Sequence, residues 1–303
     1  MLVSTHRAHN RKYFYKYTSA STAIRILTNR TLRLSSPLLF NDPFDIPRVL
    51  KLAFTSEELN QGIIKELFRL ANDQAYSIGT NLNPKLRIFL EWARSIGKQQ
   101  LHELENSAID KLKPVIIEAS QPFIDLQKQW VDMLPNTRIL CITEENNNPV
   151  MWSSYSDCYR GVVLELECLD IYDSILLLSR PVNYTDDFPT IGKLDYWIRK
   201  MTGQVEYDYK QMFADLEATK KLKWQYEKEW RVISYDKQGN ALYSDYGMHP
   251  RTFSSIYLGK DISAENRQLL LKLIDYDLSH LQPYEMKISH ETRSIDFSRI
   301  KST

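Results

Sequence analysis

Glycine is the residue this chain most lacks. Nine glycines in 303 residues is under half of the roughly 7% share usual in soluble domains, and none of them forms G-x-G-x-x-G or a P-loop. Both motifs need glycine so that backbone can approach a pyrophosphate. This argues against a Rossmann dehydrogenase or a P-loop NTPase, and a nucleotide, if one binds, must be held by side chains, helix N-termini or ordinary loop amides. Cysteine is also sparse. Cys141, Cys158 and Cys168 form no C-x-x-C pair and are odd in number, which suits a reducing cytosol better than a disulfide scaffold. Cys158 follows Asp157, whose charge would raise the thiol pKa rather than activate it.

Charge of one sign is lacking too. With 39 Lys plus Arg against 38 Asp plus Glu, there is no bulk attraction toward nucleic acid or an anionic membrane. No apolar run approaches the roughly 18 residues of a membrane span, so no membrane partner is expected. The first residues, M-L-V-S-T-H-R-A-H-N-R-K, have no apolar h-region, so no secretory signal is expected and the expected location is cytoplasmic. Of the six histidines, His6 and His9 lie in a polar terminus expected to be mobile. The rest show no H-E-x-x-H or zinc-finger spacing.

What is present is an ordinary globular composition, 43% hydrophobic and 25% charged, long enough for one large domain or two. Tyr13–Tyr17 predicts an aromatic strand. Ser19 or Ser21 caps a helix through Ala23, Ile24 and Leu27, Asn29 closes it in a left-handed conformation, and Thr31–Leu34 is a second strand. Pro37 opens the loop leading to Asn41-Asp42-Pro43-Phe44-Asp45, polar at its tip and anchored by Phe44. From 55 to 135 the periodicity turns helical, with Pro114 and Pro122 as breaks. Strand character resumes at Arg138–Thr143. Asn148 as N-cap, Pro149 at the first helical position and Gly161 past the end then bracket a helix holding Met151, Trp152, Tyr155 and Tyr159. A strand over 161–167, further strands near 182–184, 229–234, 255–258 and 284–289, and a helix around 269–274 complete the pattern. The expected fold is α+β, a central mixed or antiparallel sheet, with a core domain of residues 1–54 and 136–303 and a helical insertion over 55–135.

The segment K-K-L-K-W-Q-Y-E-K-E-W-R-V-I-S, residues 220–234, carries the most chemistry. Strand alternation sets Glu227, Glu229 and Arg231 in a row on one face, with Trp230 and Val232 on the other. The plainer alternative pairs Glu227 and Glu229 with Lys223 or Arg231 along an exposed face, each pair contributing roughly 0.2–1 kcal/mol. Lys220, Lys221 and Lys223 read as the solvated end of a preceding helix.

Four segments in this order resemble a bacterial family known as domain of unknown function 2971. They are Tyr15-Lys16-Tyr17, Asn41-Asp42-Pro43-Phe44-Asp45, Met151-Trp152 through Tyr155 to Gly161, and Trp224 with Glu227-Lys228-Glu229-Trp230-Arg231. The resemblance runs from about residue 13 to 260 and implies a bacterial setting, often near mobile elements or defence genes. Glu227-Lys228-Glu229 is also similar to the E-x-E motif of ADP-ribosyltransferases, although no Ser-Thr-Ser strand precedes it and the aromatic strand has no central Arg. That similarity implies NAD as a substrate. Glu229 would be the carboxylate that stabilises an oxocarbenium-like ribose, and Glu227 would orient an acceptor.

The leading expectation is an NAD-consuming, ADP-ribosyltransferase-like effector in phage defence or a toxin system, with Tyr17, Asn41, Asp42, Asp45, Trp152, Tyr155 and Arg231 around the ligand. One alternative is a non-catalytic module that binds a nucleotide, a nucleic acid or a protein partner in a defence complex. Another is a metal-dependent nuclease, which needs Asp42, Asp45 and a glutamate converging on Mg²⁺ or Mn²⁺. The polar loop equally suits a turn without a ligand. Trp152 and Tyr155, at i and i+3, suit either base stacking or the core.

Overall fold

Val162-Val163-Leu164-Glu165-Leu166-Glu167 alternates so that Val162, Leu164 and Leu166 join one apolar cluster while Val163 joins a second. This strand is thus covered on both faces, and the two clusters fix the layers of the fold. The computed structural model describes residues 4–96, 98–119, 121–206, 209–236 and 241–300. They fall into two units, one of residues up to Ile46, Leu134–Asp186 and Glu217 onward, the other of Pro47–Met133 and Asp187–Leu216.

The first unit is α+β. Its strands, in chain order, are β1 Tyr13–Thr18, β2 Thr31–Ser35, β3 Thr137–Thr143, β4 Val162–Glu167, β5 Arg180–Pro181, β6 Asn183–Tyr184, β7 Thr219–Lys220, β8 Glu229–Tyr235, β9 Tyr243–Gly247, β10 Phe253–Leu258, β11 Gln282–Ser289 and β12 Ser294–Arg299. Ten of them form one sheet in the order β12-β11-β10-β4-β1-β3-β2-β9, with β8 added to β3 and β5 to β8. Strands β10 and β11 run parallel and the other pairs described in this sheet are antiparallel, which makes it mixed but mostly antiparallel. One face carries Phe14, Leu27, Leu32, Leu164, Phe253, Ile256 and Leu270, and the other Tyr17, Met151, Trp152, Val163, Tyr257 and Met286.

Pairing is uneven around β3. It pairs with β8 along its whole length, from Thr137↔Tyr235 to Thr143↔Glu229. Its other edge meets β1 only at Tyr15↔Thr143 and β2 only at Ser35↔Ile139. The strands part between those two bridges, so backbone around Cys141 faces a gap instead of a neighbouring strand.

Local signals were mostly obeyed. Ser19 caps Ala20–Asn29 by accepting from the Thr22 N–H, and Asn148 caps Pro149–Tyr155 with proline at its start. Two closures differ from expectation. Arg30, not Asn29, adopts the left-handed conformation. The second helix ends at Tyr155, after which Asp157, Cys158 and Tyr159 take φ of 49°, 51° and 65°. Gly161 serves close packing instead, since a Cβ there would strike the Thr18 carbonyl oxygen and lie 2.8 Å from that of Ser156. The N-terminal segment is tied down rather than loose: His9 Nε2 contacts the Leu176 carbonyl at 2.8 Å and the Ser179 hydroxyl at 2.9 Å.

The second unit is helical, with helices Ser56–Asn72, Pro84–Ser95, Lys98–Ala119, Gln121–Met133 and Leu194–Met201. Pro114 lies inside a helix instead of breaking it, whereas Pro122 sits in the first turn of Gln121–Met133. Ile63, Leu67, Leu86, Leu90 and Trp130 are fully buried there. The unit also takes in Asp187–Leu216, a stretch the sequence reading assigned to the core domain.

Candidate functional site

Glu227 and Glu229 reach one place by different routes. Glu227 ends a 3₁₀ helix, Leu222–Glu227, and Lys228 turns the chain at φ 43° before β8 begins at Glu229. The expected row on one strand is therefore only Glu229 and Arg231, while Trp230 and Val232 pack into the apolar cluster on the other face. Nor is the row exposed. Asp45, Lys220, Glu227, Glu229 and Arg231 are all between 0% and 6% exposed.

Lys220 is the hub of this cluster. Its ammonium donates to Glu227 Oε2 at 2.5 Å and Glu229 Oε2 at 2.7 Å, and lies 3.4 Å from Asp45 Oδ2. The Arg231 guanidinium donates to Glu229 Oε1 at 2.8 Å, to the Glu217 carbonyl at 2.7 Å and to Asp45 Oδ1. Tyr155 donates its hydroxyl to Glu227 Oε1 at 2.6 Å. Three carboxylates thus face two cations, an excess of one negative charge in a place where unpaired charge is expensive.

That excess falls on Glu227. Burial pushes its carboxyl up against the pull of Lys220 and Tyr155. At Glu229 burial acts the same way, but Arg231 and Lys220 together hold the carboxyl well below the usual carboxylate range. Burial lowers Lys220 less than Glu229, Asp45 and Glu227 raise it, so it stays charged. Burial and the bond to Glu227 push the Tyr155 hydroxyl up, making it a donor rather than an anion.

The cluster forms part of the wall of a cavity of about 410 Å³, within the roughly 300–1,000 Å³ of small-molecule sites. The cavity occupies the gap beside β3. Tyr15, Lys16 and Tyr17 of β1, Arg33 and Ser35 of β2, and Ile139, Cys141, Ile142 and Thr143 of β3 line it, with Phe40, Asn41, Asp45, Tyr155, Lys220, Glu227 and Glu229.

The expected site residues divide accordingly. Tyr17, Asn41, Asp45, Tyr155, Glu227 and Glu229 come together on this cavity. Asp42 does not line it: Oδ1 accepts from the Phe44 N–H at 2.8 Å and Oδ2 from the Trp224 indole at 2.6 Å, so it shapes the loop. Despite burial, these donors hold its carboxyl below its ordinary value. Phe44, the expected anchor, is 64% exposed, and the loop is anchored instead by the two aspartates it buries. Trp152 is wholly buried, edge-on to Tyr17 at 5.5 Å, with its indole donating to the Asn146 carbonyl at 2.6 Å. It belongs to the core, not to a stacking surface. Arg231 stands behind Glu229 and Asp45 and does not line the cavity.

Lys220 was the miss. The sequence reading put it with Lys221 and Lys223 on a solvated helix end, whereas β7 turns it inward. Three lysines in four residues carry no periodic signal to single out the buried one. Among the described residues no group of three or more His, Cys, Asp or Glu side chains could hold a metal ion. Asp42 is engaged by the loop and Asp45 by cations, so the convergence a metal-dependent nuclease requires is not formed by these residues. Among the described residues no helix is long and apolar enough to cross a membrane.

A family model described as "Protein of unknown function (DUF2971)" matches residues 151–232. The matched stretch includes Tyr155, Lys220, Glu227, Glu229 and Arg231, whereas Tyr17, Asn41 and Asp45 lie outside it. No curated protein and no solved structure matches the chain, so the similarity of Glu227-Lys228-Glu229 to ADP-ribosyltransferases has no relative behind it. The resemblance to the family of domain of unknown function 2971 is supported over residues 151–232.

Proposed function

We propose that the cavity binds the ribosyl end of a nucleotide, with NAD the leading candidate, and cleaves its N-glycosidic bond. The observation that carries this reading is the Glu227–Glu229 pair. Both carboxylates bond one ammonium at the cavity wall, and their surroundings drive their pKa values apart, up for Glu227 and down for Glu229. Two carboxyls whose pKa values are pushed in opposite directions are a usual means of setting acid–base chemistry beside a fixed anion.

In the proposed reaction Glu229 is the fixed anion. As the C–N bond breaks, nicotinamide leaves with the bonding electrons and the ribose gains positive charge, which Glu229 stabilises. The acceptor attacks the anomeric carbon and gives its proton to the Glu227 carboxylate, which accepts from Tyr155 and Lys220 and whose upward shift makes it the stronger base of the two. Tyr15, Tyr17 and Tyr155 supply apolar faces for the nicotinamide. A role as a bacterial toxin or defence effector is part of this proposal and rests on the family resemblance alone.

Nicotinamide released from NAD, with a cell extract supplying acceptors, tests the reading. The wild-type protein should release it and Glu229→Gln, checked for an unchanged melting temperature, should not. Absence of release by the wild-type protein, or equal release by the variant, sinks the proposal. One observation favours a second reading, a non-catalytic module that holds a nucleotide or a partner's side chain. Both Glu229 oxygens are already bonded, Oε1 by Arg231 and Oε2 by Lys220. That reading predicts a rise in melting temperature with NAD and no turnover.

A further inference from the structure

The cations around the cavity are not equivalent. Three line it: Lys16, Arg33 and Lys220. Arg33 is neutralised by a two-pronged bond to Asp245, at 2.8 and 2.9 Å. Lys220 is more than neutralised by Asp45, Glu227 and Glu229. Lys16 differs from both. Its partly buried ammonium has one partner among the described residues, the Cys141 carbonyl at 2.8 Å, and no carboxylate.

The fold explains this arrangement. A strand on that edge of β3 would have taken the Cys141 carbonyl, but β1 and β2 part there. The Lys16 side chain fills part of the opening and meets the free carbonyl. An ammonium has three donors and no acceptor, so two remain for another group. A neutral carbonyl does not balance its charge. The carboxylates at the cavity wall are committed to Lys220 and Arg231, so the charge of Lys16 is left for whatever enters.

We infer that Lys16 is the anion-binding residue of this cavity and takes a phosphate of its ligand. The inference rests on the proposed ribosyl substrate for the rest of the molecule and narrows it: the pocket selects a phosphorylated ribosyl compound over the corresponding nucleoside. The phosphate would lie against β1 at the strand gap, joined to Lys16 by a charge-assisted hydrogen bond.

Binding of nicotinamide mononucleotide, nicotinamide riboside and inorganic pyrophosphate, measured by calorimetry, tests this. The wild-type protein should bind the mononucleotide roughly ten- to hundred-fold more tightly than the riboside, the range expected for one charge-assisted bond. In Lys16→Met the two should bind alike, with riboside affinity unchanged and pyrophosphate binding lost, and Lys16→Arg should restore most of the preference. In the wild-type protein the preference should shrink as salt is raised from 50 to about 500 mM. This last measurement stands even if Lys16→Met fails to fold. A preference that survives Lys16→Met, a preference indifferent to salt, or no binding of either phosphate-bearing probe overturns the inference. Lys16-dependent binding without nicotinamide release from NAD leaves it standing and overturns the proposed reaction instead. Release without phosphate preference does the reverse.

Discussion

Glu217 offers a test of the electrostatics just behind the site. It is wholly buried, and its carboxyl accepts from the Tyr235 hydroxyl at 2.8 Å and the Thr137 hydroxyl at 3.2 Å. Burial outweighs these bonds and pushes the carboxyl from its ordinary 4.5 up to about 7. Between those values the folded protein holds a proton that the unfolded chain has released. The group's contribution is therefore fully present below about pH 4.5 and is lost as pH rises through about 7. At 1.36 kcal/mol per unit, a shift of that size makes Glu217 worth about 2–3 kcal/mol more at pH 5 than at pH 8. Glu217→Gln keeps the shape and a neutral polar group but cannot titrate. Urea unfolding of wild type and variant at pH 5, 6, 7 and 8 gives a difference in which Glu227, shifted upward in both proteins, cancels. The wild-type advantage should fall by about 2–3 kcal/mol across that range. A difference that is flat with pH, or that grows as pH rises, refutes the picture of a dry, proton-holding carboxyl.

Two further substitutions probe the cluster and the close packing ahead of β4. Arg231→Met removes the partner of both Asp45 and Glu229 and leaves two buried carboxylates to Lys220 alone. Unfolding experiments at neutral pH should show a loss of about 3–5 kcal/mol, and a loss below about 1 kcal/mol would mean that water replaces the guanidinium. Gly161→Ala places a methyl against the Thr18 and Ser156 carbonyls. A loss of about 3 kcal/mol is expected, the upper end for overpacking because backbone cannot yield as a side chain does. An unchanged urea midpoint would show that β4 can shift away.

Such a cluster is a poor source of stability, because desolvating five charges offsets most of their mutual attraction. Its effect is positional. It holds the loop ending at Asp45, β7, the 3₁₀ helix ending at Glu227 and the start of β8 to one arrangement, so two glutamates from different elements reach the same cavity wall. Removing either cation leaves three buried carboxylates to a single positive charge.

Much of this molecule is decided within a few residues of chain, and that part the sequence determined by itself. Ser19 and Asn148 bond amides two or three positions on, the aromatic alternation of Tyr13–Thr18 makes a strand whatever lies beside it, and the helical periodicity from Ser56 to Met133 survives even Pro114. Asp45, Glu227 and Glu229 could be named because a polar loop and a charged alternating segment carry them, in the order of the segments that resemble one family. What balances their charge lay in tertiary structure. Lys220 and Arg231 stand against Asp45 from 186 or fewer positions away, and no local rule told the buried lysine from Lys221 and Lys223. Trp152 and Asp42 have the same local signals as Tyr155 and Asp45, yet the first pair turns inward to pack and to shape a loop. The cavity exists because β1 and β2 each grasp β3 by a single bridge. Where strands part depends on pairing across more than a hundred residues, a quantity that alternation along one strand does not contain.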